Sequence, residues 1–168
     1  SVSVGVSVAH NDINTQTRAM LDSSWLSAGG DVSLLADDVS KATAEATAVS
    51  AAAALGPGRS VAMAGMAGIN AVDNSTWAGS LDDGALGGAG NGPTVLTLGG
   101  DLLVSADAAP EAHAKVLDVA ASAGLVGVSV GWSDSNNHVT PTVHAGLAGS
   151  DVRATGHVDI KANSKATL

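Results

Sequence analysis

The sequence predicts an all-β protein, a single-stranded parallel β-helix or β-solenoid, on three observations. Small apolar residues alternate with polar ones at a period of two, which is typical of strands. Similar phrases recur along the chain at steps of roughly 60 residues. The 168 residues include no Phe or Tyr and only three Trp, whereas 21 are Gly. A core of Ala, Val and Leu favours a thin, elongated interior over a compact globule, which usually relies on buried aromatic rings.

The alternation begins at the N-terminus, where the valines at positions 2, 4, 6 and 8 are separated by Ser and Gly. Successive side chains of a strand point to opposite faces, so this run places its four valines on one side. The same pattern recurs at residues 32–36, 102–106, 126–130 and 158–162. The expected strands are short, and Gly, Asn, Asp and Ser form the turns between them.

The recurring phrases divide the single segment 1–168 into three uneven repeats, approximately 1–58, 59–122 and 123–168. The opening Val4-Gly5-Val6-Ser7-Val8 recurs letter for letter at 126–130, and a weaker copy lies at 64–67. A polar segment that we expect to be a turn follows each opening, at 10–12, 70–74 and 133–137. Closing phrases lie at 28–36, 98–106 and 154–162. A repeat of this length is expected to hold about three coils of about 20 residues, giving about eight coils and an axial length of about 40 Å.

Two further stretches fit either a helix or a strand. The Ala-rich stretches 41–55 and 108–121 are compatible with helices, and Pro110 suits a helix start, but strict alternation in the first favours a strand. The glycine-rich stretch 86–93 is expected to be a loop inserted in the middle repeat. The Gly-Gly-Asp before a closing strand, at 29–31 and 99–101, is interpreted as a corner, with Gly at positive φ and Asp bonded to the turn backbone.

Charge and composition exclude several classes of function. The net charge is −9 and the seven basic residues are scattered, which argues against nucleic acid or an anionic membrane surface as a partner. The absence of Cys excludes disulfides and thiolate metal sites. No segment resembles a signal peptide or a membrane span. Because the chain opens within a strand pattern and without Met, we interpret it as a piece of a longer protein.

No catalytic, cofactor-binding or metal-binding residue is assigned from the sequence. Of the five His residues, only His138 and His144 are candidates to converge, and a structural or solvent-exposed role is favoured for both. The carboxylate pairs Asp37-Asp38 and Asp82-Asp83 are the only candidates for Ca²⁺, but neighbours on a strand point to opposite faces, so a calcium site is disfavoured.

Three other motifs have a simple structural interpretation. The glycines of 87–92 superficially suit a phosphate loop, but no Lys-Ser/Thr follows, so a linker is favoured. Asn74-Ser75-Thr76 is a formal glycosylation sequon that we interpret as a turn. The three tryptophans, Trp25, Trp77 and Trp132, are candidates for stacking on sugar rings, although packing at corners is favoured.

The phrases Val4-Gly5-Val6-Ser7-Val8, Asp22-Ser23-Ser24 and Ala28-Gly29-Gly30-Asp31-Val32 resemble the repetitive passenger regions of giant bacterial adhesins and filamentous-haemagglutinin-like proteins. The resemblance covers essentially the whole chain in three copies, and the middle copy departs from it through its loop. It implies a right-handed parallel β-helix that is exported to the cell surface or the extracellular space as a stalk or adhesive fibre.

We therefore expect a structural or adhesive segment and not an enzyme. Its expected partners are neighbouring repeats of the same chain or further copies of it, with a glycan or host-surface ligand as an additional candidate. The alternative is a β-helix that binds or processes carbohydrate, which needs clustered carboxylates with Arg or Lys. Ice binding is disfavoured, because the threonines at 15, 17, 43 and 47 do not form equally spaced ranks across coils.

Overall fold

The computed structural model of the protein describes residues 1–54, 57–80 and 92–168. Every regular element in this part of the chain is a β-strand, as the alternation predicts. The strands are β1 (Val2–Leu21), β2 (Trp25–Ala28), β3 (Val32–Asp38), β4 (Lys41–Ala53), β5 (Arg59–Ser80), β6 (Thr94–Leu98), β7 (Leu102–Ala108), β8 (Glu111–Ala123), β9 (Val126–Leu147), β10 (Ser150–Ala154) and β11 (Val158–Ser164). The predicted loop at 86–93 lies outside the described residues except for its last two, Gly92 and Pro93.

The strands form four parallel sheets that the chain visits in turn. The strand orders are β1-β5-β9, β2-β6-β10, β3-β7-β11 and β4-β8. The first winding is thus β1 to β4, the second β5 to β8, and the third β9 to β11. Each strand pairs with the corresponding strand of the next winding. The predicted all-β, parallel, solenoid-like architecture is therefore confirmed.

The prediction of many short coils, with several in each repeat, is wrong. Val2 pairs with Val61 and Arg59 pairs with Val126, so the chain returns to the same sheet only once in each repeat. A whole repeat is therefore one winding, and the described chain makes three windings; beyond β11 the third pairs with β8 only through the bridge between Thr167 and Glu111. Three strands at about 4.8 Å each span roughly 14 Å along the axis, and not the expected length of about 40 Å. Turn-forming residues mark corners, but they do not reveal how many corners a winding has.

The repeats correspond closely at their ends and less closely at their beginnings. In the closing phrases, Val32 pairs with Leu102 and Leu102 with Val158, as the sequence alignment implies. In the opening phrases, Val4 pairs with Met63 and Met63 with Val130, so the identical pentapeptides are offset along the strands. The stretch 41–55, for which a strand was favoured, contains β4, so that prediction is confirmed. The stretch 108–121, for which helix and strand were both left open, contributes most of β8.

The interior is thin because it is lined by the small residues of each alternating pair. In β1 the valines face outward, and Val2 and Val6 are each 74% exposed. The opposite face of β1 lies against β4, where Ser50 Oγ donates to the Ser3 carbonyl oxygen at 2.9 Å. A Cβ on Gly5 would lie 2.7 Å from the carbonyl oxygen of Val49. At this end of the flat part the two sheets leave room for Ala, Ser and Gly but not for Val, whereas farther along the strands Met66 and Val116 fit between them.

A wider core lies at the other end of the winding. There the C-terminal ends of β1, β5 and β9 pack against two other sheets. One of these sheets consists of β2, β6 and β10, and the other consists of β3, β7 and β11. The buried residues of this cluster are Ala36, Ala78, Leu96, Leu98, Leu102, Val104 and Ala106. Most of them belong to the second winding, since the first and third windings cover it on both sides. The cross-section is therefore a flat two-sheet part joined to a three-sheet wedge.

Candidate functional site

The most specific interior feature is a ladder of three asparagines, one from each winding. Asn11 Nδ2 donates to Asn70 Oδ1 at 2.9 Å, and Asn70 Nδ2 donates to Asn137 Oδ1 at 2.8 Å. The three residues are register partners in β1, β5 and β9. The polar segments that contain them were expected to be turns, and this is wrong: they continue the strands, with the asparagine side chains inside.

The asparagine ladder also joins the two sheets of the flat part. Asn11 Nδ2 donates to the Thr43 carbonyl oxygen at 2.7 Å, and Asn70 Nδ2 donates to that of His113 at 2.8 Å. Asn70 is fully buried, so its amide is held entirely by protein groups. Hydrogen bonds between stacked amides specify the register of neighbouring windings more sharply than alanine packing does, because a slip by one residue moves the amide to the other face.

A second ladder lies at the Gly-Gly-Asp corner. Asp31 Oδ1 accepts from the backbone N–H of Asp101 at 2.8 Å, and Asp101 Oδ1 accepts from that of His157 at 2.7 Å. The carboxylate thus bonds the next winding, whereas it was expected to bond the backbone of its own turn. We call this arrangement the corner staple. Its third position holds His157, which has no carboxylate to extend it.

The glycines of the corner are needed for space. A Cβ on Gly100 would lie 2.1 Å from Asp31 Oδ1, and one on Gly156 would lie 2.0 Å from Asp101 Oδ1. The expectation of positive φ at this corner is wrong: among the described glycines, positive φ occurs at positions 79, 92 and 149. The carboxylate of the preceding winding occupies the space that a side chain at this position would need. Only glycine therefore fits there.

A buried carboxylate lies where β1 faces the end of β3. Asp38 accepts from Ser40 Oγ at 2.6 Å, from Thr15 Oγ1 at 2.8 Å, from Thr17 Oγ1 at 3.1 Å and from Asn74 Nδ2 at 2.8 Å. Burial raises the pKa of Asp38, but these four hydrogen bonds to the ionised form outweigh it and hold the pKa below its ordinary value. With its carboxylate oxygens occupied by donors, Asp38 is a structural group.

Polar contacts between windings also occur on the outer surface. Lys41 Nζ lies 3.0 Å from Glu111 Oε2, and this hydrogen bond and charge lower the pKa of Glu111. Asn163 Nδ2 donates to Asp107 Oδ1 at 2.7 Å and is the largest cause of the lowered pKa of Asp107. Each pair joins register partners or neighbours of adjacent windings, so it supports the same stacking as the interior ladders.

The structure does not bring the candidate ligand residues together. His138 and His144 lie on the outer face of β9, six residues and about 20 Å apart along one strand, so they do not converge. Asp37 is exposed and Asp38 is buried, on opposite faces of β3. Asp82, Asp83 and the glycines of 87–91 lie outside the described residues. Within the described ranges, no group of three His, Asp or Glu side chains is placed to hold a metal ion.

The sequon and the tryptophans differ from expectation. Asn74 is fully buried within β5, so the sequon is not a turn and its amide is not accessible in the folded chain. Trp77 donates to Ser75 Oγ at 2.6 Å and stacks on His144 with ring centroids 4.3 Å apart. Trp25 and Trp132 were expected to pack at corners, but they are 84% and 61% exposed.

Both ends of the stack present strand edges. The strands of the first winding each pair on one side only, and so do β9, β10 and β11 of the third. Among the described residues, none donates to Asn11 Oδ1 and none accepts from Asn137 Nδ2. The groups that join the windings internally therefore recur, unpaired, at both ends.

Comparison with known proteins found no matching family model, no matching curated protein and no matching solved structure. None of the described elements is a helix long and apolar enough to cross a lipid bilayer. The interpretation of the chain therefore depends on its own geometry.

Proposed function

We propose that this chain is a structural segment of an exported bacterial surface or extracellular protein, and that its windings continue into further windings or stack end to end. The observation that carries the proposal is the asparagine ladder. It joins the three windings in strict register, and it is open at Asn11 and at Asn137. An open edge of a parallel sheet is a template for another strand, so a winding with a matching interior asparagine fits on either end.

Three finer parts of the proposal depend on the resemblance to adhesin passenger regions. They are the right-handed path of the chain, the location outside the cell, and an adhesive role at a surface or tip. The polar side chains on the outer face of β1 beyond position 8, which begin with His10, support a solvated surface. The ladders and paired strands support a mechanical role, because each winding is held by backbone pairing along most of its length.

Imaging of the native assembly by cryo-electron microscopy tests this proposal. The expected result is a stack with a strand spacing of about 4.8 Å along its axis and windings of about 60 residues each. In such a stack the column of Asn11, Asn70 and Asn137 continues into polar partners at both ends. A closed particle in which other structure covers both end windings with unrelated contacts contradicts continued stacking.

Carbohydrate binding is a second candidate, favoured by the exposure of Trp25 and Trp132. Flat, solvated indole rings are suited to stacking on sugar rings, and neither ring is covered by the rest of the chain. Titration with soluble polysaccharides, followed by Trp fluorescence, tests it. Binding should be weakened by Trp25→Ala or Trp132→Ala and retained in Trp77→Ala, whose ring is already stacked on His144. Equal binding by all three variants contradicts this candidate.

A further inference from the structure

The flat part of the outer surface carries an apolar patch. We define the apolar patch as the outward-facing, alternate positions of residues 2–8 in β1, 61–67 in β5 and 128–132 in β9. Val2 and Val6 are among its most exposed members, and Met63 at its centre is 45% exposed. Beyond position 8 the same face of the sheet becomes polar, beginning with His10. The apolar and polar halves therefore share one continuous sheet.

The area of the patch follows from the strand geometry. Three strands at about 4.8 Å and four outward positions at about 6.6 Å give roughly 14 by 26 Å, or about 370 Å². This is the size of the largest apolar patch on a typical soluble monomer, about 300–600 Å², and such a patch often has a function. The interior of the chain does not use these side chains, because the opposite faces of the same strands line the core.

A groove interrupts the surface of the patch. A groove of about 220 Å³ lies between Val6 and Trp132, where Gly65 has no side chain to fill the row. Gly65 is the register partner of both residues, and a Cβ at its position would lie 3.6 Å from the Trp132 ring. A flat partner sheet would leave the groove empty, whereas a single aliphatic side chain from a partner fits it.

We propose that the patch binds the same patch of a second copy of the chain. The two copies are related by a two-fold axis that is parallel to the solenoid axis and passes over Met63. Two sheets then pack face to face at about 10 Å with all three windings at matching heights. The rotation reverses the strand direction, so the position of Val61 in one copy lies over the Gly65 groove of the other. Val61 supplies the aliphatic side chain that the groove accommodates.

Charge complementarity at the borders of the patch supports this arrangement. Arg59 lies at one border, in the second winding, and Asp134 lies at the opposite border, in the third. The two-fold rotation places Arg59 over Ala67 of the second copy. Because Ala67 and Asp134 are register partners, Arg59 is displaced from Asp134 by one strand spacing along the axis, and the two side chains reach toward each other across the gap of about 10 Å between the sheets. Both side chains are exposed, and each copy contributes one such pair, so two ion pairs flank the apolar contact.

The buried area predicts how strong this pairing is. Two patches of about 370 Å² bury roughly 740 Å², which is below the roughly 1,200 Å² at which typical stable interfaces begin. The 168-residue chain is therefore a weak dimer. Each further winding with the same outer residues adds about 125 Å² per copy, so longer stacks pair more tightly and run side by side in the same direction. This lateral pairing goes beyond the proposed end-to-end continuation.

Crosslinking tests the position of the axis. The chain has no Cys, so a single Met63→Cys variant provides one thiol at the proposed axis. A short bis-maleimide should crosslink two Met63→Cys chains at least about tenfold faster than two Asp73→Cys chains. Asp73 is a matched control, because it is exposed on the same strand and the same face but lies five outward positions from the axis. Equal rates for the two variants overturn the proposal.

A charge exchange tests the borders. Arg59→Glu and Asp134→Arg should each raise the dimer dissociation constant in sedimentation equilibrium, and the double variant should restore it. Failure of the double variant to restore association overturns the two-fold arrangement. Protection of the Met63→Cys thiol by phosphatidylglycerol vesicles, without crosslinking, overturns it as well and assigns the patch to a lipid surface. If these tests fail while circular dichroism shows an intact β-fold, the proposed stacking function still stands.

Discussion

Replacement of Asn70 by Ala tests the asparagine ladder most directly. Asn70 takes part in three hydrogen bonds: it accepts from Asn11, and it donates to Asn137 and to the His113 carbonyl oxygen. A hydrogen bond of this kind contributes about 1 kcal/mol net to stability. The variant should therefore lose about 3 kcal/mol of unfolding free energy. For a domain of this size, that loss lowers the Tm by roughly 6–12 °C.

The two end members of the ladder should lose less. Asn11 donates two hydrogen bonds, to Asn70 and to the Thr43 carbonyl oxygen, whereas Asn137 accepts one from Asn70. Asn11→Ala should therefore lose about 2 kcal/mol, and Asn137→Ala about 1 kcal/mol. The neighbouring Asn136 faces solvent, and its replacement by Ala should change the stability by less than about 0.5 kcal/mol.

Urea unfolding followed by circular dichroism measures this series. Four variants with one type of substitution keep the chemistry constant, so the order of the losses depends on hydrogen-bond number and burial. A loss for Asn70→Ala no larger than that for Asn137→Ala would refute the reasoning, because the ladder would then contribute no specific stability to the middle winding.

Three further predictions concern space and charge. Gly100→Ala should cost about 1–3 kcal/mol in urea unfolding, since its Cβ would displace the staple carboxylate of the first winding; Gly30→Ala, which meets no atom within 4 Å, should be neutral, and equal losses would contradict the staple. The lowered pKa of Asp38 stabilises the fold above the unfolded-state value of 3.8, and this contribution is lost as the pH falls through the folded-state pKa. Asp38→Asn should therefore flatten the acid side of a stability-versus-pH curve, and an unchanged slope would contradict the assigned hydrogen bonds. Ala46→Leu should destabilise by at least about 1–3 kcal/mol because the sheets are too close for it, whereas Thr47→Leu on the outer face should be tolerated; similar Tm values would argue against the thin interior.

The strands and their pairing could be read from the sequence because both depend on local patterns. Period-two alternation identified β4 as a strand despite its alanines. The closing phrases aligned Val32, Leu102 and Val158 correctly, because turn residues on either side fixed the ends of each phrase. Alternation shows that two faces of a strand differ, but it does not show which one is inside. That depends on the distance between sheets, which at Gly5 is too short for Val.

The two ladders become recognisable once it is known which residues of neighbouring strands pair. The spacing from Asn11 to Asn70 equals the offset between β1 and β5, and the spacing from Asn70 to Asn137 equals the offset between β5 and β9. These equal spacings are present in the sequence, but Asn is also a common turn residue, so the sequence alone favours turns at these positions. The role of Asp31 was likewise hidden, because its partner Asp101 lies in the next winding and not in its own turn.

The length of a winding determines how such a protein grows. Each winding of roughly 60 residues advances the stack by about 4.8 Å, which is about 0.08 Å per residue, whereas an α-helix advances about 1.5 Å per residue. Strand β1 alone, with 20 residues, is about 65 Å wide. The molecule is therefore broad across its strands and grows slowly along its axis, by one wide winding at a time. A stack with this wide cross-section gains little axial length for the number of residues it uses. It resists bending in the plane of its sheets far more than a narrow solenoid does.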